Sequence, residues 1–162
     1  MIARVVRDFG GIRIATTDWP VLFMDLPPPR VADESLVEAL AYIEELMRAS
    51  EKVGDKYFQV TDLTRIRDLP PASQRQHVGD WMQRTLKLQK TATVGGANVT
   101  PGAILRGIIT AISWFQSAPM PTAFVATRRE AVQIGVKALD AANVPLGHEV
   151  RERLLARRSE RP

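Results

Sequence analysis

Three consecutive prolines, Pro27-Pro28-Pro29, divide this chain into two unlike parts. Proline fixes its own φ and has no amide hydrogen to donate to a ladder, so any strand before them must end there. Upstream, short β-type runs are joined by tight turns. Residues 2–9, IARVVRDF, alternate well enough for a strand, and Gly10-Gly11 followed by IRIATT predicts a hairpin. Asp18-Trp19-Pro20 is a second turn signal, and VLFMDL is an apolar run long enough for a buried strand. Trp19, in that turn, is expected to be exposed.

Downstream of the prolines, helices and strands alternate. The segment DESLVEALAYIEELMRAS places Leu36, Leu40, Ile43 and Met47 on one face, with Val37 and Leu46 beside them, and turns Glu44 and Glu45 outward. Ser35 and Glu38 fit a capping box there, and Asp33 is an equally good cap. KYFQVTDL reads as a strand of about six residues. SQRQHVGDWMQRTLKLQK predicts a second helix, opened by Ser73 and Gln76 at capping-box spacing, with Val78, Trp81, Met82 and Leu86 as its apolar stripe.

TATVGG then reads as a strand that ends in a glycine pair. Thr100-Pro101 has the pattern of a cap followed by proline at the first helical position, opening the apolar helix AILRGIITAISWFQ. Its Trp114 and Phe115, like Trp81, fall at core spacing. PTAFVAT is the last strand, and Thr127 with Glu130 forms a capping box that opens REAVQIGVKALDAAN. The expected class is α/β, in the order βββαβαβαβα. The sheet is mixed but mostly parallel, with an antiparallel N-terminal part. One domain is expected over 1–145, followed by a basic tail, 146–162, that carries at most a short solvated helix.

With 162 residues, 45% of them hydrophobic, the chain can bury a core without covalent staples. It contains no cysteine, which excludes disulfides, thiolate metal sites and cysteine nucleophiles and fits a cytoplasmic location. The N-terminal segment lacks a signal-type apolar run, and Arg106 interrupts the most apolar later segment, so no membrane insertion is expected. A net charge of +4, partly from the tail, and no evident recognition helix give no reason to expect a nucleic-acid partner.

Three local features give this arrangement a relative. They are the strand ending in Asp62-Leu63-Thr64, the strand Thr91-Ala92-Thr93-Val94-Gly95, and the passage Ala123-Phe124-Val125-Ala126-Thr127-Arg128-Arg129-Glu130-Ala131 from last strand into last helix. Together they resemble the STAS-like fold of bacterial anti-sigma-factor antagonists, and most closely the bacterial STAS-like proteins grouped with lipid-binding CRAL-TRIO domains. The likeness covers roughly residues 12–140. It implies a regulatory domain that works by binding a protein partner or itself. In the antagonists, the helix after the Asp-Leu-Thr strand begins with an Asp-Ser-Ser-Gly type motif whose serine is phosphorylated. Here the loop reads Arg67-Asp68-Leu69-Pro70-Pro71-Ala72-Ser73, without a Ser-Gly pair and with Ser73 out of register, so that switch does not carry over.

Few residues suggest chemistry. Asp62 and Thr64 stand at a strand's C-terminal end, where open α/β sheets gather ligands, although an aspartate there also accepts hydrogen bonds from the following loop. Gly95, Gly96 and Asn98 lie in a segment whose amides could approach an anion, though it is neither a P-loop nor a dinucleotide fingerprint. Thr127 and Arg128 would complete a rim, with Arg128 as counter-ion for an anionic group. Ser73 is expected to be a helix cap, and it is the one candidate for phosphorylation. His77 and His148 are the only histidines, too few to form a zinc site without cysteine. A receiver domain would need an acidic pair after its first strand and a lysine after its last, and neither is present. The expectation is therefore a non-catalytic interaction protein that needs no cofactor or metal. The alternative is a sensor or carrier for a small anionic or apolar ligand held at the strand ends.

Overall fold

In a computed structural model the chain is described over residues 2–27, 31–66, 70–100, 102 and 120–156. The expected helix AILRGIITAISWFQ, with Trp114 and Phe115, lies outside the described residues, as does most of the Pro27-Pro28-Pro29 punctuation. The elements are β1 (Val6–Phe9), β2 (Ile12–Ala15), β3 (Val21–Asp25), α1 (Asp33–Val53), β4 (Tyr57–Asp62), α2 (Ala72–Ala92), β5 (Thr93–Val99), β6 (Thr122–Val125), α3 (Arg128–Ala141) and α4 (His148–Ala156). The protein is α/β, with one mixed six-stranded sheet in the order β1-β2-β3-β4-β5-β6. The first two pairings are antiparallel and the remaining three parallel. Gly10 and Gly11, at φ 59° and 95°, make the two-residue turn between β1 and β2, a backbone region that side chains resist.

Alternation along each strand divides the interior into two layers. Ile12, Ile14, Leu22, Met24 and Tyr57 project to one face and meet Leu36, Leu40, Ile43, Met47, Trp81 and Leu88 of α1 and α2. Val21, Phe23, Phe58, Val60, Ala97, Val99 and Val125 project to the other and meet Ala131, Val132, Val136 and Leu139 of α3. Strands β3 and β4 are covered on both sides, which is why VLFM and YFQV read as nearly continuous apolar runs. Trp19 is half-buried, not exposed. Its ring lies 5.1 Å from that of Tyr57, because the turn folds back under the α1–α2 layer.

Helix boundaries differ from expectation in instructive ways. Helix α1 begins at Asp33, with Ala32 at the cap position, and neither Asp33 nor Ser35 caps it. It ends at Gly54 in the left-handed region, whose amide closes on Glu51 and Ser50. Glu44 is largely covered, since it accepts from Arg48 at 2.7 Å and from Arg84 of α2 at 3.1 Å. Helix α2 begins one residue before Ser73 and runs through Thr91-Ala92, which had read as strand. Its buried face includes Gln74, Thr85 and Gln89 as well as Trp81 and Leu88, while Val78, Met82 and Leu86 are half-buried. The buried polar groups satisfy one another along the helix. Gln89 donates to Thr85 Oγ1, Thr85 to Trp81 O and Thr93 to Gln89 O, each at 2.7 Å.

The described part of the expected tail, which carries the helix His148–Ala156, is packed. Val150 and Leu154 of α4 are each 3% exposed within the α3 layer. Arg151 makes a bidentate pair with Asp140 of α3. Arg153 Nε donates at 2.7 Å to Asp18, which is 1% exposed in the turn before β3. The folded unit therefore continues past residue 145, because burying Asp18 requires a cation and the last helix delivers one. Leu154→Ala should lower the unfolding free energy by about 2–4 kcal/mol in urea titration, as for a core leucine. A change under about 0.5 kcal/mol, as for a surface position, would show that the helix is only laid on the surface.

Candidate functional site

The C-terminal ends of the parallel strands collect the N-termini of α1, α2 and α3, and the polar residues there form two groups on opposite faces of the sheet. On the α3 face, the β3–β4 register sets Asp25 directly beside Asp62. Arg128, the first residue of α3, lies between them. Its Nη1 donates to Asp25 Oδ1 at 2.9 Å and stands 3.7 Å from Asp62 Oδ2. Its guanidinium sits over the Phe23 ring, 4.3 Å from the centroid, so packing as well as charge fixes it. Asp62 Oδ1 accepts from the Thr64 amide at 2.9 Å and from the Thr64 hydroxyl at 2.6 Å. That is the loop-closing role of an aspartate at a turn.

Thr127 is engaged as well. Its hydroxyl accepts from the Glu130 amide at 3.2 Å, while Glu130 Oε2 accepts from the amides of Thr127 and Ala126 at 3.3 and 3.0 Å. This completes the capping box read from sequence. The capping box holds the first turn of α3 in place and so aims Arg128 at the two aspartates.

Asp62, Thr64, Thr127 and Arg128 thus come together, and Asp25 joins them. Gly95, Gly96 and Asn98 do not. They belong to β5 itself, paired with Phe58, Gln59 and Thr61, rather than to a loop after it. Asp62 faces Val99, which lies in the α3 layer, so Asn98 points to the opposite face. Gly95, at φ 152°, has its α-carbon against the Phe58 ring and the Pro121 carbonyl, where a β-carbon would lie 3.0 Å from that oxygen. A strand-end rim uniting all seven expected residues is not formed, because alternation and register separate them.

On the other face, Gln74 is buried, and its amide donates to Val31 O at 2.6 Å and to Asp33 Oδ1 at 3.0 Å. The bonds from Gln74 and then from the Ser73 hydroxyl hold the Asp33 carboxyl below the usual carboxylate range, with a further contribution from His77 at 3.8 Å. Ser73 lies within the first turn of α2 and does not cap it; Pro71 holds the cap position, with no side-chain cap bond. His148, on α4, lies 3.6 Å from Glu152.

Among the described residues, no group of three or more His, Asp or Glu side chains is placed to hold a metal ion. No helix among them is long and apolar enough to cross a membrane. Sequence reading missed Asp25 and Gln74, and it offered Asp33 only as a helix cap. Asp25 had a signal, since VLFMD and YFQVTD both end a buried apolar run in aspartate and the two strands align in parallel.

Because Gln74 is buried and makes two bonds between the helix starts while Ser73 is exposed, their alanine variants should rank in that order. Gln74→Ala leaves the Val31 carbonyl without its donor and should cost about 1–3 kcal/mol in denaturant titration. Ser73→Ala should cost less than about 0.5 kcal/mol, whereas a true cap would cost about 1 kcal/mol. No protein-family model matches the chain, and no curated protein matches its sequence.

Proposed function

We propose that this chain is a non-catalytic, cytoplasmic interaction domain of STAS-like type that acts by binding a protein partner or a second copy of itself. The observation that carries this reading is the closed set Asp25–Arg128–Asp62. The guanidinium that would have met an anionic ligand is already held by two carboxylates and stacked on Phe23. The neighbouring hydroxyls of Thr64 and Thr127 are engaged in a turn and a cap. These groups stabilise the strand ends and the start of α3, and they engage Arg128, the counter-ion that a small anionic ligand would have met. The sheet, with an antiparallel hairpin followed by parallel strands, is compatible with the STAS-like resemblance, and function follows from that resemblance only by analogy.

The exposed side of α2 carries Arg75, Gln76, Gln83, Arg84, Lys87 and Lys90, so a contact on this helix would be polar and basic. The exposed residues of α2 include no large apolar side chain.

Native mass spectrometry of the protein isolated gently from its own cells tests the proposal. A stoichiometric second chain, identical or different, without small-molecule mass is expected. Arg128→Gln should cost about 1 kcal/mol of stability, modest because the pair is over a third exposed, and should leave the mass of the complex unchanged. A bare monomer would overturn the reading. So would a small-molecule mass that is lost in Asp62→Ala or Arg128→Gln, in favour of the ligand carrier.

A further inference from the structure

Strand β1 is an edge strand, packed through Phe9 and Arg7 against Tyr42 on one face and open on the other. Arg4, Val6, Arg7 and Asp8 are all exposed, Val6 by 43%. The direction of its backbone groups can be worked out residue by residue. The Thr16 amide donates to Val5 O at 2.9 Å, the Val5 amide donates to Thr16 Oγ1 at 3.0 Å, and Thr16 Oγ1 donates to Ala3 O at 2.6 Å. From the other end, the Gly10-Gly11 turn closes on the pair Phe9–Ile12. In an antiparallel ladder these groups alternate. Those of Ala3, Val5, Arg7 and Phe9 therefore turn toward β2, and those of Arg4, Val6 and Asp8 turn outward. Among the described residues no strand pairs with that outer edge.

We infer that the β1 edge is closed by β1 of a second copy, in an antiparallel pairing centred on Val6. This deepens the interaction reading above and rests on it. Two identical strands related by a two-fold axis must pair about a residue that faces itself, because facing side chains share one face of the sheet. Only a few centres are available, and charge separates them. Centring on Arg7 sets Arg7 against Arg7, and centring on Asp8 sets Asp8 against Asp8, both unfavourable. Centring on Val5 sets Asp8 against Ile2.

Centring on Val6 sets the exposed valines against each other and places Arg4 opposite Asp8 of the second copy, twice. It also joins outward amides to outward carbonyls at all three positions. Asp8 is suited to the role. One carboxylate oxygen accepts from the Gly11 amide at 2.9 Å, which fixes the side chain, and the other is available to Arg4 of the second copy. Arg13 faces Asp8 across the hairpin, so the joined sheet carries a row of alternating charge, Arg13, Asp8 and Arg4 of the second copy.

The test is the mass of the purified full chain in solution by sedimentation equilibrium, with thermal unfolding as a control for folding. The wild type should be a dimer that weakens with added salt. Val6→Pro removes an outward amide that the hairpin does not use, so it should yield a folded monomer. Arg4→Glu should raise the dimer dissociation constant about tenfold or more, and adding Asp8→Arg should restore it by exchanging the charges. A dimer indifferent to all three changes would overturn this pairing while leaving self-association through another surface. A wild type that stays monomeric to about 100 μM, weaker than ordinary specific complexes, would overturn it too, and the interaction reading would then be decided by the complex isolated from cells.

Discussion

The Phe58 ring sets the distance between the sheet and α3. It is 1% exposed, and it fills the space that a side chain at Gly135 of α3 would need. A β-carbon at Gly135 of α3 would lie 2.6 Å from its Cδ1, and one at Gly95 of β5 would lie 3.4 Å from its Cε2. The glycine at 135 thus lets α3 close onto this phenyl group, with Gly95 in ordinary contact on its other side. Gly135 lies seven residues, about 10 Å, along α3 from Arg128. Seating the helix on Phe58 therefore delivers the guanidinium to the strand ends, onto Phe23 and between Asp25 and Asp62. The polar cluster follows from an apolar contact some distance away.

What could be read from the chain was what is local. The Gly10-Gly11 hairpin, the short apolar strands and the Thr127–Glu130 capping box each depend on residues within a few positions of one another, and each is present, although β1 covers only Val6–Phe9 of the run read over 2–9 and β5 runs on to Val99. The same capping-box spacing misled at Ser35–Glu38 and Ser73–Gln76. There the helix starts are set by bonds that span 41 and 43 residues, from Gln74 to Asp33 and to Val31. The glycine pair in β5 looked like the end of a strand because glycine usually breaks one. What surrounds the pair is non-local: a β-carbon at Gly95 would lie 3.0 Å from the Pro121 carbonyl and one at Gly96 3.3 Å from the Gln59 carbonyl, contacts that no local pattern reports.

The candidate site shows the same limit more sharply. Asp62, Thr64, Thr127 and Arg128 could each be singled out by position, at a strand end or a helix start. Whether they converge depends on parity. Asp62 and Val99 share a face, so Asn98, one residue earlier, cannot join them. Asp25 belongs to the cluster only through the β3–β4 register, and Arg153 reaches Asp18 across 135 residues. The types of residue were visible in the chain, but their partners were not, because partnership here is a property of sheet register and helix seating.

The two layers are unequal, and that inequality gives the surface its character. The α3–α4 layer lies over the parallel strands, held by the Val136 and Leu139 contacts, the Asp18–Arg153 pair and the cluster around Arg128. It does not extend over the hairpin, where Val6, Asp8 and Arg13 stand exposed on that side. The hairpin is instead fastened from the other side, through Ile12, Ile14 and the contact of Phe9 with Tyr42, at 5.5 Å. Arg7 stacks over the same Tyr42 ring, 4.6 Å from its centroid, which keeps the edge strand in line with the sheet. A strand supported on one face and open on the other, with its spare hydrogen-bonding groups directed outward, can be extended without disturbing the core. The closed ionic cluster at the strand ends has the opposite property, since engaging it would first require breaking it.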